Sequence, residues 1–443
     1  MSLLAILLLC SCGDTKPPVE PVVAVLPTEM FEGETAQSEA PQDSESPETP
    51  APPEPAVEIP TPESPVPRFD PQKLEAALAD TEAFTREMER ICADFHVVGM
   101  SVAVFANDAV IHTYNHGYAD REAGVKAGDD TKYRSASVSK TATAICAMIL
   151  AEIPQIGEIS RLDLDAPISG IMNLDMDSYA TDTPNTTRHL LTHSSSIVDT
   201  SAYTNAFSYT PPLSVERMLN IGIWSGDLPG TRYQYSNLGA SLVSAVIESV
   251  TGERFYAFAQ ENLFDKLGLD AGYLRTLIAD TENIANIYRG GALAHSVKTW
   301  GRTESLYNQI PLGQAYGVAE CEMIISATDL AKLGIILAGD GTYGDVRILS
   351  PESVAEMNRP YIEIAENEYS AIGLRVKTDI LEGRTISGHP GQALGMVGGL
   401  YFDISDGTGV AILTNGCLVT YNSNNMYGIN QAVIEAVYGH FFG

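Results

Sequence analysis

Residues 134–150 read Arg-Ser-Ala-Ser-Val-Ser-Lys-Thr-Ala-Thr-Ala-Ile-Cys-Ala-Met-Ile-Leu. A helix of that composition is apolar on nearly every side and belongs in the interior of a domain, not on its surface. Between Arg134 and Glu152 the only charged side chain is Lys140. An ammonium in such surroundings is costly unless it is paired or gives up its proton. One turn earlier, on the same helix face, stands Ser137. A serine hydroxyl is a poor nucleophile at neutral pH and needs a base within hydrogen-bond reach. Apolar walls favour a neutral amine, so Lys140 is expected to fall below the usual lysine pKa of about 10.4. The helix N-terminus adds peptide N–H groups and the positive end of the dipole. Ser137-x-x-Lys140 is therefore a candidate activated nucleophile. The same string also suits a plain buried helix, and partners elsewhere must decide.

A chain of 443 residues has room for a large core with two subdomains. Its 57 acidic against 26 basic side chains give a net charge of -31, which repels phosphate backbones and speaks against a nucleic-acid partner. Cys10 and Cys12 lie near the N-terminus, whereas Cys92, Cys146, Cys321 and Cys417 are scattered without metal-ligand or disulfide spacing. His189 and His193 are four apart, but they lack the glutamate of His-Glu-x-x-His and a third ligand. A loop-ordering role is expected there, and no metal or organic cofactor.

The apolar run at residues 3–9 ends in Cys10-Ser11-Cys12 and is too short to span a bilayer. It resembles a bacterial lipoprotein signal over residues 1–12, with Cys12 the first candidate for lipid attachment and Cys10 the second. No Lys or Arg precedes the run, where secretory leaders carry positive charge, which fits a start a few codons upstream. Residues 13–70 are rich in Pro, Glu, Ser and Thr and cannot bury enough apolar surface to offset the entropy of ordering. They are expected to be an extended spacer.

The folded part is expected from residue 71, where Asp70-Pro71 caps a helix. Leu74, Leu78, Phe84, Met88 and Ile91 follow at helical spacing. Residues 99–106 and 109–114 read as a hairpin around Asn107-Asp108. Residues 152–323 read as mainly helical with long loops. Strand patterns return at 372–376, 385–388, 397–403 and 409–414, and an amphipathic helix closes the chain at 429–438. The expected fold class is α+β, with one antiparallel sheet built from both termini, flanked by helices, around a mostly helical insertion.

Three motifs now stand in order. Ser137-x-x-Lys140 is the first, Tyr235-Ser236-Asn237 the second, and His389-Pro390-Gly391 the third. Arg188-His-Leu-Leu-Thr-His193 lies between the first two. Over residues 71–443 the chain resembles the beta-lactamase-related serine hydrolases: class C beta-lactamases, DD-peptidases and the esterases that share their fold. The resemblance implies a beta-lactamase/transpeptidase-like fold and an acyl-serine mechanism. In it Ser137 attacks a carbonyl, Lys140 and Tyr235 share the proton transfers, and Asn237 orients the substrate amide or the lysine. It places an oxyanion hole at the peptide N–H groups of Ser137 and Gln392, with Gly391 leaving room for substrate along the strand and His389 as a polar wall. Where beta-lactam-binding relatives often carry threonine, this chain has Pro390, which offers neither hydroxyl nor N–H. Carboxylate recognition is expected to be weak, which favours esters or D-amino-acid-containing amides. A DD-carboxypeptidase or beta-lactamase is the alternative, and a penicillin- or peptidoglycan-binding module with little turnover the third reading. The usual Thr-Ser-Gly after the histidine is here Ser194-Ser195-Ser196, so that loop is expected to differ in shape. The expected partners are a small-molecule or peptide substrate, cell-wall peptide included, and a membrane reached through the lipid anchor. The expected location is the bacterial cell surface or periplasm.

Overall fold

The computed structural model describes residues 68–153, 161–174, 183–201, 203, 214–219, 223–296 and 304–443. The leader, the lipid-attachment candidate Cys12 and the spacer as far as residue 67 lie outside the described residues.

Strand β1 (Gly99–Ala106) shows how the layers form, because all of its residues are buried. Successive side chains of a strand point to opposite faces, so both faces of this sheet must be covered. Met100, Val102, Val104 and Ala106 enter a core formed with helices Pro71–Ala79, Glu82–Asp94 and Gly428–Phe441. Ala103 and Phe105 enter the other core, under helix Ala327–Ala338 and the central helix Ser139–Glu152. The remaining strands of the sheet are β2 (Ala109–Asp120), β3 (Val125–Lys126), β4 (Ile362–Ala365), β5 (Glu368–Ala371), β6 (Leu374–Lys377), β7 (Ile386–Ala393), β8 (Met396–Asp403) and β9 (Thr408–Thr414). Their spatial order is β4-β5-β6-β7-β8-β9-β1-β2-β3, so the last strand in sequence pairs antiparallel with the first. One antiparallel sheet is thus built from the two ends of the folded part.

Helix Ala327–Ala338 starts on Ser326, whose hydroxyl accepts the Asp329 N–H at 3.1 Å. It lies so close to the sheet that a Cβ on Gly334 would sit 2.5 Å from Phe105 Cζ and 2.8 Å from Leu400 Cδ1. Between the two strand-bearing segments the described residues are mainly helical, and helix Asn237–Thr251 is buried from Asn237 to Glu248. No helix among the described residues is long and apolar enough to cross a membrane.

Two local expectations need correction. The N-terminal apolar pattern is not one helix: the first ends at Ala79 and a second begins at Glu82, whose N–H donates to Asp80 Oδ1 at 3.1 Å, and Leu78 is left 37% exposed. Nor is 134–150 a single helix. Lys132–Arg134 pairs as a strand with Ile324–Ser326, a tight turn follows at Ala136–Val138, and the helix begins at Ser139.

Candidate active site

That turn is what presents Ser137. Ala136 has φ +48°, a left-handed conformation that costs a side-chain-bearing residue about 1–2 kcal/mol. It is held by hydrogen bonds from both sides. Ser135 N and Oγ donate to Met323 O at 2.8 and 3.0 Å, and Ser139 Oγ donates to Ala136 O at 2.6 Å. Such strain at a reactive position persists only when neighbours over-determine it.

Lys140 lies one turn on, 3% exposed. Its Nζ donates to Ser137 Oγ at 3.1 Å, Asn237 Oδ1 at 2.9 Å and Glu320 O at 2.9 Å. An ammonium has three donors and no acceptor, so these three oxygens satisfy the charged form. Burial pulls the Lys140 pKa down, but Tyr235, Cys321 and Glu320 outweigh it, and the net direction is upward. The expectation of a lowered lysine pKa is therefore overturned. The apolar neighbours on its own helix are real, but the groups that face its nitrogen come from other segments.

Tyr235 Oη is 2.9 Å from Ser137 Oγ, and the Tyr235 ring lies 5.1 Å from Lys140 Nζ. Helix Asn237–Thr251 has Ser236 as its N-cap, which leaves Asn237 as the first helical residue. His193 packs its ring on Tyr235 with centroids 4.4 Å apart, and its Nδ1 accepts the Ser236 N–H at 3.3 Å. It orders the loop, and among the described residues no His, Cys, Asp and Glu cluster could hold a metal. Burial, then Lys140, His389 and Arg375, keep His193 neutral well below the usual histidine range. In the serine triplet Ser196 takes the left-handed conformation, φ +63°, and donates its hydroxyl to Asp227 O.

Strand β7 closes the crevice. A Cβ on Gly391 would lie 2.5 Å from Ser135 O and 3.0 Å from Val138 Cγ2, so only glycine lets this strand press against the nucleophile turn. Gln392 follows it, opposite Val397 of β8. His389 is buried, 6.5 Å from Tyr235 between ring centroids, and its Nδ1 lies 2.6 Å from Pro390 O. Burial, Lys140 and Arg375 hold it well below the usual histidine range. Ser137, Tyr235, His389 and Pro390 line one crevice, partly open to solvent. Three segments far apart in sequence thus meet at one crevice.

A family model described as Beta-lactamase matches residues 81–432. The chain belongs to the beta-lactamase family. Among curated relatives, Penicillin-binding protein 4 of Amycolatopsis lactamdurans is 25% identical over 351 residues, covering 77% of this chain and 87% of that protein. The fold is shared with EstCE1, a hydrolase with promiscuous acyltransferase activity (TM-score 0.61, 23% identity, 82% of this chain and 99% of that one). It is also shared with the D-amino acid amidase of Ochrobactrum anthropi SV3 complexed with L-phenylalanine (TM-score 0.58, 20% identity, 83% and 98%).

Three residues of this beta-lactamase family member escaped the sequence reading. Arg375 of β6 lines the crevice, with its guanidinium carbon 5.8 Å from the Tyr235 ring centroid and Glu368 Oε1 accepting from Nη1 at 3.0 Å. Glu320 supplies the carbonyl that receives Lys140. Asp199 accepts from the loop that carries Tyr235 and Asn237. None belongs to a motif, and no spacing rule would have found them.

Proposed function

We propose that this member of the beta-lactamase family is a serine hydrolase working through an acyl-enzyme on Ser137, with esters or D-amino-acid-containing amides as substrates. The observation that carries the reading is Ser137 Oγ within 2.9 Å of Tyr235 Oη and 3.1 Å of Lys140 Nζ, inside the reach that general base catalysis requires. The three acceptor oxygens around its Nζ suit Lys140 as an ammonium, which favours negative charge on neighbouring oxygens instead of accepting a proton itself. The proton acceptor is then Tyr235 in its phenolate form, which a neighbouring ammonium favours. Ser137 Oγ bonds to the substrate carbonyl carbon, its proton passes to the Tyr235 phenolate oxygen, and the carbonyl π electrons move to the carbonyl oxygen. Peptide N–H groups of Ser137 and Gln392 are the candidates for receiving that charge. When the intermediate collapses, the bond to the leaving alcohol or amine breaks and Tyr235 returns the proton to it. Water then repeats the sequence on the acyl-serine.

A DD-carboxypeptidase reading is favoured by one observation. Neutral His389 and Pro390 offer a substrate carboxylate little, yet Arg375 places a guanidinium in the same crevice. The acidic spacer and Cys12 support a lipid-tethered enzyme at the bacterial surface or periplasm, within reach of cell-wall peptide.

The test is intact-mass analysis and turnover of the full chain with a nitrophenyl ester, a D-amino acid amide, a D-Ala-D-Ala peptide and a cephalosporin. We expect ester or D-amide turnover, lost in Ser137→Ala. Equal rates in wild type and Ser137→Ala would remove the nucleophile assignment. A stable stoichiometric adduct without turnover would favour the binding module.

A further inference from the structure

We infer that Asp199 is a positioning residue that fixes which atom of the Asn237 carboxamide faces Lys140, an inference that rests on the hydrolase reading. Asp199 follows the serine triplet and reaches across to the first turn of helix Asn237–Thr251. Its Oδ2 accepts Asn237 N at 2.9 Å and Asn237 Nδ2 at 2.8 Å, while its Oδ1 accepts Leu238 N at 3.0 Å and Ser236 Oγ at 3.0 Å. One carboxylate thus receives four donors from three consecutive residues.

The chemistry of the donors fixes the amide. A carboxylate only accepts and an ammonium only donates. Asn237 lies between them, with Nδ2 on Asp199 and Oδ1 2.9 Å from Lys140 Nζ. Rotating the carboxamide by half a turn would set an oxygen against the carboxylate and an NH₂ against the ammonium. Both contacts would then be repulsive, so the orientation follows from the network and not from the shape of the side chain. Asp199 therefore holds ready one of the three oxygens that keep Lys140 charged. The same clamp anchors Ser236, the neighbour of Tyr235, and so bears on the 2.9 Å approach of Tyr235 Oη to Ser137 Oγ. Asp199 touches no reacting atom and acts through Asn237.

A rival explanation gives Asp199 only a capping role for the helix. The two are separated by exchanging the pair. In Asp199→Asn one acceptor oxygen is left for four donors, so an NH₂ meets either the Asn237 donors or Leu238 N, and in Asn237→Asp two carboxylates meet. In the exchanged pair, Asp199→Asn with Asn237→Asp, the side-chain donor and acceptor are restored and an oxygen again faces Lys140, at the cost of the peptide N–H of residue 237 meeting an NH₂ in place of Oδ2. The readouts are the rate of Ser137 labelling by a fluorophosphonate, followed by intact mass, and ester kinetics across pH, all on the full chain. Asp199→Asn is expected to slow labelling and kcat about tenfold to a hundredfold, with KM within about twofold. Its alkaline limb should move to lower pH, because an ammonium that loses an acceptor releases its proton sooner. In an Asn237→Ala background the same change should cost less than about twofold. The exchanged pair should label faster than either single variant.

An exchanged pair no faster than the better single variant overturns the proposal, as does a full Asp199→Asn effect in the Asn237→Ala background. If wild type itself forms no Ser137 adduct, the hydrolase reading fails instead. A crystal structure of Asp199→Asn then decides the positioning role, or one of Asn237→Asp if the first variant does not fold. Loss of the Lys140–Asn237 oxygen contact in Asp199→Asn supports it and retention overturns it. In Asn237→Asp the side chain is expected to turn away from Asp199, and an unmoved clamp overturns it.

Discussion

Of the three lysines buried among the described residues, Lys140 and Lys377 are held in opposite ways. Lys140 gives its three protons to a hydroxyl, a carboxamide oxygen and a peptide carbonyl. Lys377 of β6 is 4% exposed and pairs with Glu368 at 3.0 Å and Asp379 at 3.3 Å, with Asn424 O at 3.1 Å. Glu368 stands directly opposite it on β5 and also receives Arg375. Lys377 is thus matched by carboxylates and its charge serves the join between strands. Lys140 is matched by dipoles, one of which is the nucleophile itself. A buried cation whose hydrogen-bond partners are neutral acts on the charge that develops beside it during a reaction. One paired with carboxylates acts on the fold.

The sharpest break of this contrast would come from removing each amine in turn. Lys140→Met is expected to lower ester turnover by more than about a thousandfold, with the chain still folded by circular dichroism. Lys377→Met is expected to leave kcat within about fivefold but to lower unfolding stability by about 3 kcal/mol, since Glu368 and Asp379 lose a buried partner. Urea titration beside kinetics reads both, and exchanged outcomes would undo the distinction. Tyr235→Phe should follow Lys140→Met, at about a hundredfold to ten-thousandfold in kcat. The ring would still pack on His193, so stability should hardly move.

How far the sequence could see follows the same division. The lone charge at Lys140 was visible because it breaks a local pattern, whereas the Tyr235 and Asn237 pair and the glycine at 391 were legible only through the family resemblance. The two-ended sheet was visible too, since strand alternation lies at both ends of the folded part. What could not be read was the sign of the Lys140 shift. It is set by Tyr235, Cys321 and Glu320, which come from loops far along the chain. Asp199 was hidden for the same reason: an aspartate in a polar loop looks like any other until the fold brings it to the start of another helix. The spacer and Cys12 lie outside the described residues, so their roles stay with the proposal.

Histidines extend the contrast to pH. His193 and His389 are buried and held well below the usual range, first by burial and then by neighbouring cations. In the unfolded chain they titrate near 6.5. Below that pH the unfolded state binds more protons than the folded one, so their stabilising contribution is present above about 6.5 and is lost as pH falls. Each can contribute up to about 1.4 kcal/mol per pH unit. Urea midpoints between pH 7 and pH 5 should fall less steeply in His389→Gln than in wild type. An unchanged slope would mean that His389 is charged in the folded enzyme.

The smallest expected effect concerns the rim of the crevice. Pro390 sits on β7 opposite Gly399 of β8 and beside His389. As proline it brings no hydroxyl to a bound carboxylate. Pro390→Thr should therefore lower KM for a D-Ala-D-Ala peptide by about fivefold, roughly 1 kcal/mol, and leave a neutral nitrophenyl ester unchanged. Arg375→Met should act in the opposite direction on the same peptide if its guanidinium receives the carboxylate. If both variants leave the peptide and the ester in their wild-type ratio, neither position reads a carboxylate. The cations of β6 would then be structural in the way Lys377 is, and the ester reading would stand over the DD-carboxypeptidase one.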